Sequence, residues 1–214
     1  MTKADASASS PTSAPGLTQR LLLHVGCGVE NRDRVPEYFH DANWREIRLD
    51  IDPRVKPDIV GSTTDLGAVA DESMDAIWSS HNLEHLNSYE VPMALAEFKR
   101  VLKPDGFLLL SLPDLRAIAR RIAADQLLEP LYHSAVGPIR PLDVVFGHQP
   151  SLAKGNSFMA HRTGFTATTL GQSLIEAGFH EVRVHEGLRW DLWAIATMPC
   201  TGGAIFQDLA GVIS

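Results

Sequence analysis

Two groups of residues carry chemistry. The first is Gly26-Cys27-Gly28, which ends the apolar run Leu21 to Val25, with Asp50 following Gly28 by 22 residues. Glycines at the end of a buried strand let a ligand approach bare backbone, and an acid at the end of the next strand is placed to take ribose hydroxyls. The spacing points to a nucleotide-type ligand. A tight strand-to-helix turn and an Asp50 that only caps the following turn are the simpler accounts of the same residues. The second group is His81-Asn82-Leu83-Glu84-His85. As HxxEH it matches inverted zinc peptidases, in which two histidines on one helix face grip zinc and the glutamate acts as base. Its context argues otherwise: the segment directly follows an apolar strand, and no metal is assigned to it.

The elements that must position these groups alternate. Residues 31–43 place Val35, Tyr38, Phe39 and Ala42 three to four apart and predict a first crossover helix starting near Pro36. Residues 46–53 read as a second strand ending in two acids, and residues 57–61 as a short third strand. The polar loop Ser62-Thr63-Thr64-Asp65 suits edge recognition of a ring. Met74 to Ser80 is a fourth strand whose last two residues are small. Asn87 with Glu90 makes a capping arrangement for a helix carrying the stripe Val91, Ala94, Leu95, Phe98, Val101 and Leu102. That helix ends before Pro104, and Phe107 to Leu112 is a fifth strand. Asp114 caps a further helix to about Leu128. Thr166 opens the last crossover helix, closed by Gly178 and Phe179; Val182 and Val184 mark one more strand, and Leu192 to Met198 another. Repeated strand-helix alternation is the pattern of a doubly wound, mostly parallel α/β sheet.

The chain has 214 residues and a formal net charge of −7, with no basic stripe, which disfavours nucleic acid. Cys27 and Cys200 are its only cysteines and no CxxC occurs, so neither a disulfide framework nor a structural zinc site is indicated. No stretch approaches the ~20 apolar residues of a membrane span, and the expectation is a soluble, cytoplasmic protein with no membrane partner. Residues 1–16 read as a disordered tail, 17–198 as one domain and 199–214 as a C-terminal tail, whose Ile205, Phe206 and Leu209 dock on the body or on a second subunit of a homodimer. Within the domain, residues 129–162 lose periodicity and collect Pro, Gly and His, the expectation being a substrate-covering insertion.

Taken together, Leu21 to Asp114 resembles the class I S-adenosylmethionine-dependent methyltransferases, nearest the type 11 branch, whose members carry His-X-Leu-Glu-His-Leu after the fourth strand and Arg-Val-Leu-Lys-Pro-Gly-Gly before the fifth. Here these are His81-Asn82-Leu83-Glu84-His85-Leu86 and Arg100-Val101-Leu102-Lys103-Pro104-Asp105-Gly106. The resemblance implies a seven-stranded Rossmann-like sheet with an insertion after the fifth strand. It also implies S-adenosyl-L-methionine as cofactor, S-adenosyl-L-homocysteine as product and a small-molecule acceptor. Gly26, Cys27 and Gly28 would border the cofactor's methionine part, Asp50 and Ile51 its ribose side, Ser62, Thr63 and Asp65 its adenine, and Ser79, Ser80 and His81 the methyl-transfer side. His24 stands where the family often has an acid toward the cofactor amine, and Ser62 where it often has an Asp. Those departures keep open a non-catalytic module of the same fold, and zinc hydrolysis through His81, Glu84 and His85 is the remaining alternative. If the acceptor must lose a proton, His81 is the first candidate base, with His85 also near the fourth strand and His133, His148 and His161 in the insertion as further candidates.

Overall fold

The computed structural model describes residues 19–213; the tail expected at residues 1–16 lies outside them. Seven strands form the main sheet in the order β3-β2-β1-β4-β5-β9-β8. Strands β1 (Arg20–Val25), β2 (Trp44–Asp50), β3 (Ile59–Val60), β4 (Met74–Ser80) and β5 (Leu102–Pro113) run parallel. β9 (Asp191–Thr197) lies antiparallel between β5 and β8 (Glu181–Glu186). The chain winds outward from β1 to β3 and then crosses back to β4, so the order reverses between β1 and β4. Ligands of open α/β sheets bind in the crevice at that reversal, outside the carboxyl ends of the strands.

The alternation of β1 places Leu23 and Val25 on one face and Leu22 and His24 on the other. The first face packs Leu23, Val25, Ile77, Leu108 and Leu110 under α1 (Val91–Val101) and α5 (Ala167–Glu176). Every residue of the predicted α1 stripe is buried. The Asn87 amide donates to Glu90 at 2.7 Å, as the capping pattern requires. α5 starts at Thr166, which accepts from the Thr169 amide, and ends at Gly178 in the left-handed region.

The opposite face departs from expectation. No α-helix forms over residues 31–43; two 3-10 turns, Arg32–Arg34 and Glu37–Phe39, take its place. Pro36 supplies no amide hydrogen and holds Val35 extended, while the Asn31 and Asp41 side chains accept from the nearby Asp33 and Asn43 amides and compete with helical bonding. Val35 and Phe39 still reach the sheet, packing with Leu22, Ala76, Trp78 and Phe107. The C-terminal segment completes this layer: Ile205 and Phe206 of α6 (Ile205–Asp208), with Leu209, are buried against the body.

After β5, α2 (Leu115–Ala123) is shorter than predicted, ending before Asp125, whose φ is +61°. The insertion is ordered in short pieces: the hairpin β6 (Tyr132–Ser134) and β7 (Gly137–Ile139), then α3 (Pro141–Phe146) and α4 (Gln149–Ala153). Leu131 and Val144 bury against Ile118 of α2 as a small core of their own. Its polar anchor is Asp143, buried, which accepts from the Arg140 and Gln149 amides and from Arg140 Nε, each at 3.0 Å.

Burial opposes the charge on Asp143, but these donors outweigh it and hold the carboxyl below the usual range. Because its folded pKa lies below the unfolded one, the stabilisation is fully present above the ordinary carboxylate range and is lost as pH falls through the folded value. Asp143→Ala should therefore destabilise the insertion by about 2–3 kcal/mol at neutral pH. Limited proteolysis across residues 129–162 checks this: wild type should become sensitive only below about pH 4, the variant at pH 7.

Candidate functional site

The crevice at the order reversal is built from the ends of β1, β2 and β4. β1 ends in a turn with Gly26 at φ +65° and Gly28 at φ +61°, both in the region that favours glycine. A side chain is excluded there as well. A Cβ on Gly26 would stand 2.9 Å from the Asn82 side chain, and one on Gly28 would stand 2.6 Å from the Arg34 guanidinium. Asp50, buried, ties the turn to β2: one oxygen accepts from the Gly28 amide and the other from the Asp52 amide, both at 2.8 Å. Arg48 donates to the Gly28 carbonyl at 2.6 Å. Ile51, next to Asp50, is 50% exposed, an apolar surface at the rim.

Cys27 is buried within the turn and burial pushes its thiol up to about 11, so it stays protonated and unreactive at neutral pH. His24 is buried beside Trp78, the two rings tilted with centroids 6.5 Å apart, and binds Glu46 of β2 at 2.6 Å. Ser62 and Asp65 line a cleft of about 340 Å³ with Leu49, Ile59 and Leu66, while Thr63 turns inward and is buried. Ser62 Oγ bonds Thr64 Oγ1 at 2.7 Å, and Asp65 accepts from the Gly67 amide.

At the end of β4, Ser79 is buried and Ser80 half-buried. His81 follows in the left-handed region, φ +48°, its amide donating to the Ser111 carbonyl at 2.9 Å. Leu83–His85 is a single 3-10 turn, so the helix that a zinc-peptidase motif needs is absent. The tertiary fold instead gathers the histidines around Glu84, which is 1% exposed. His81 Nδ1 donates to Glu84 Oε1 at 3.2 Å. His85 and His161 stack edge to face with centroids 4.8 Å apart, and the backbone amides of Arg162 and Thr163 donate to the Glu84 carbonyl.

Desolvation works against charge at each member of this group. The His81 side chain is 52% exposed, and the Glu84 hydrogen bond and charge outweigh its desolvation and raise its pKa. For Glu84 the surrounding histidines outweigh burial and keep the carboxyl ionised. For His161 burial prevails and lowers the pKa. Since Glu84 only accepts, His81 carries a proton on Nδ1, and in its neutral form it presents the Nε2 lone pair. That is the geometry of a base oriented by a carboxylate.

His81, His85 and His161 thus come together. His133 stands exposed on the hairpin, and His148 bonds Ser151 Oγ at 2.7 Å at the start of α4. Three residues at the site were not selected from the sequence: Glu46, Arg34 and Asn82, whose buried Nδ2 has no hydrogen-bond partner. Only Asn82 had a local signal, being the variable position of the His-X-Leu-Glu-His segment.

Residues 23–110 match the family model described as a methyltransferase domain, type 11. No curated protein matches the chain. Solved structures do. A Mesorhizobium loti S-adenosylmethionine-dependent methyltransferase is 18% identical, with 86% of this chain and 93% of that one covered and a TM-score of 0.55. An Archaeoglobus fulgidus SAM-dependent methyltransferase is 16% identical, with coverages of 85% and 87% and a TM-score of 0.53. A Bordetella parapertussis protein is 19% identical at a TM-score of 0.53; 85% of this chain matches, spanning 63% of that longer one. At these identities the structural matches establish the fold. Among the described residues no helix is long and apolar enough to cross a membrane.

Proposed function

We propose, from the match of residues 23–110 to a methyltransferase domain, that this chain uses S-adenosylmethionine to methylate a small-molecule acceptor and releases S-adenosylhomocysteine. The observation that carries the proposal is the bond from the Gly28 amide to Asp50. It joins the acid of β2 to the glycine turn of β1 where the strand order reverses.

The residues present fit the cofactor. Gly26 and Gly28 offer bare backbone. Each Asp50 oxygen keeps a lone pair after taking its amide, enough to accept from ribose hydroxyls. Ile51 offers apolar surface beside the ribose, and Ser62 and Asp65 line the cleft on the adenine side. Asn82 Nδ2 is a buried, unpaired donor suited to a carboxylate such as that of the methionine part. Glu46, held by His24, replaces the acid that the family often carries at the position of His24.

S-adenosylmethionine supplies a methyl already activated on a sulfonium sulfur, so the protein's work is alignment and exclusion of water. Small Ser79 and Ser80 leave room above β4 for the acceptor, and residues 129–162 cover it. His81 Nε2 takes the acceptor's proton, and Glu84 stabilises the imidazolium that results. The acidic chain fits a small molecule better than nucleic acid as acceptor. Unpaired Cys27 and Cys200 suit a reducing compartment, and we place the protein in the cytoplasm.

Ile51 supplies a test that spares the fold, because its side chain is exposed at the rim. Ile51→Asp should leave the thermal midpoint within about 2 °C. Loss of one apolar contact of about 1.5–3 kcal/mol should weaken S-adenosylhomocysteine binding about 10- to 100-fold in calorimetry. Unchanged affinity would remove Ile51 from the cofactor site.

A further inference from the structure

We propose that Glu84, His85 and His161 form a binding site for a divalent transition metal ion of the zinc class. One ligand-capable atom from each of the three lies within 4.8 Å of the others. His85 Nδ1 donates to the Ala160 carbonyl at 3.1 Å and His161 Nδ1 to the Val144 carbonyl at 2.6 Å. A carbonyl only accepts, so both rings carry a proton on Nδ1, and Nε2 is the atom each neutral ring offers to a metal ion. A carbonyl behind the ring is the support that metal-bound histidines use, since it sets both tautomer and orientation.

The carboxylate supplies the independent observation. Glu84 is 1% exposed, His81 occupies Oε1, and Oε2 is buried with no hydrogen-bond partner. An ionised oxygen left unpaired in the interior is costly, and a cation is the partner that best relieves it. Two neutral imidazoles and one carboxylate are donors for zinc or its neighbours in the first transition row, whereas magnesium and calcium prefer an all-oxygen set.

On a tetrahedral ion with bonds of about 2.1 Å, ligand atoms stand about 3.4 Å apart, so closure needs side-chain rotation of about an ångström. Three protein ligands leave a coordination position open, as in sites that take an oxygen from water or substrate. The segment 160–163 that brings His161 is anchored to the same turn by two amides donating to the Glu84 carbonyl. The site is therefore assembled by the insertion, and its metal binding stands independently of the cofactor reading.

The test uses the full chain freed of any polyhistidine tag and stripped with a chelator, then titrated with Co²⁺ and followed by its visible ligand-field bands. Zn²⁺ serves as competitor. The expected result is one equivalent of Co²⁺ with the intensity of a four- or five-coordinate site, displaced by Zn²⁺. His161→Ala and Glu84→Gln should each weaken binding by about tenfold or more. His180→Ala, at an exposed histidine elsewhere, should leave it unchanged. Far-UV dichroism identifies a variant that has lost its fold, and the wild-type titration decides without it. Absence of stoichiometric Co²⁺ and Zn²⁺ binding by wild type, or equal affinity in a folded His161→Ala, would overturn the proposal.

Discussion

Asp50→Ala should weaken S-adenosylhomocysteine binding by about 100-fold or more. Two hydrogen bonds from ribose hydroxyls to a charged acceptor contribute about 1.5–3 kcal/mol each, which together exceed the 2.7 kcal/mol or so that corresponds to 100-fold. The carboxylate also holds the Gly28 and Asp52 amides at 2.8 Å, so its removal loosens the turn over which the cofactor would lie. Part of the effect is therefore structural, and the folded state should lose about 2 kcal/mol. Asp50→Asn separates the contributions: it keeps one acceptor oxygen and the shape but loses the charge, and should fall between wild type and alanine. Calorimetry with thermal denaturation on the same samples reads both. An Asp50→Ala protein that binds like wild type would end the assignment of this acid to the cofactor.

Gly147→Ala should release the insertion. Gly147 has φ +94°, and a Cβ there would stand 1.9 Å from the Met159 carbonyl oxygen and 2.9 Å from the Ala160 Cα, backbone atoms with no rotamer to yield. Gly147 pairs with Ala160 in an isolated bridge immediately before His161. Strain at this φ together with the clash should cost about 3–5 kcal/mol, expressed as local opening of residues 147–163, none of which belongs to a hydrophobic core cluster. His161 would then leave Val144 and the Glu84 cluster. Hydrogen exchange should show loss of protection confined to this segment. Cofactor affinity should stay within about threefold, because the glycine turn and Asp50 lie outside it. Unchanged protection in the variant would show that the approach of the two backbones is not what holds the insertion.

The residues legible in the sequence are those governed by local rules. Gly26, Gly28 and Asp50 were placed by strand length and spacing, and the α1 stripe by its period. Gly178 and Phe179 marked the end of α5 by cap chemistry. Residues 31–43 had the right apolar positions but the wrong element, because Pro36 and two competing Asx side chains outweighed the helical period. The insertion defeated periodicity because its pieces are only three to six residues long. The histidine cluster was half legible: His81, Glu84 and His85 form a local motif. His161 reaches them through backbone bridges and buried carbonyls that have no trace in the neighbouring sequence. The expectation of no metal followed from the segment's place directly after a buried strand, where the helix of a zinc-peptidase motif does not fit. The residues converge through a 3-10 turn and a distant loop instead, which is what the metal proposal rests on.

Calorimetric titration of the wild-type chain with S-adenosylhomocysteine tests the central claim most directly. One site per chain with a micromolar dissociation constant, weakened by both Asp50→Ala and Ile51→Asp, is the predicted result. No heat up to millimolar ligand in a folded sample would contradict it and leave the fold as a binding module without the family's cofactor.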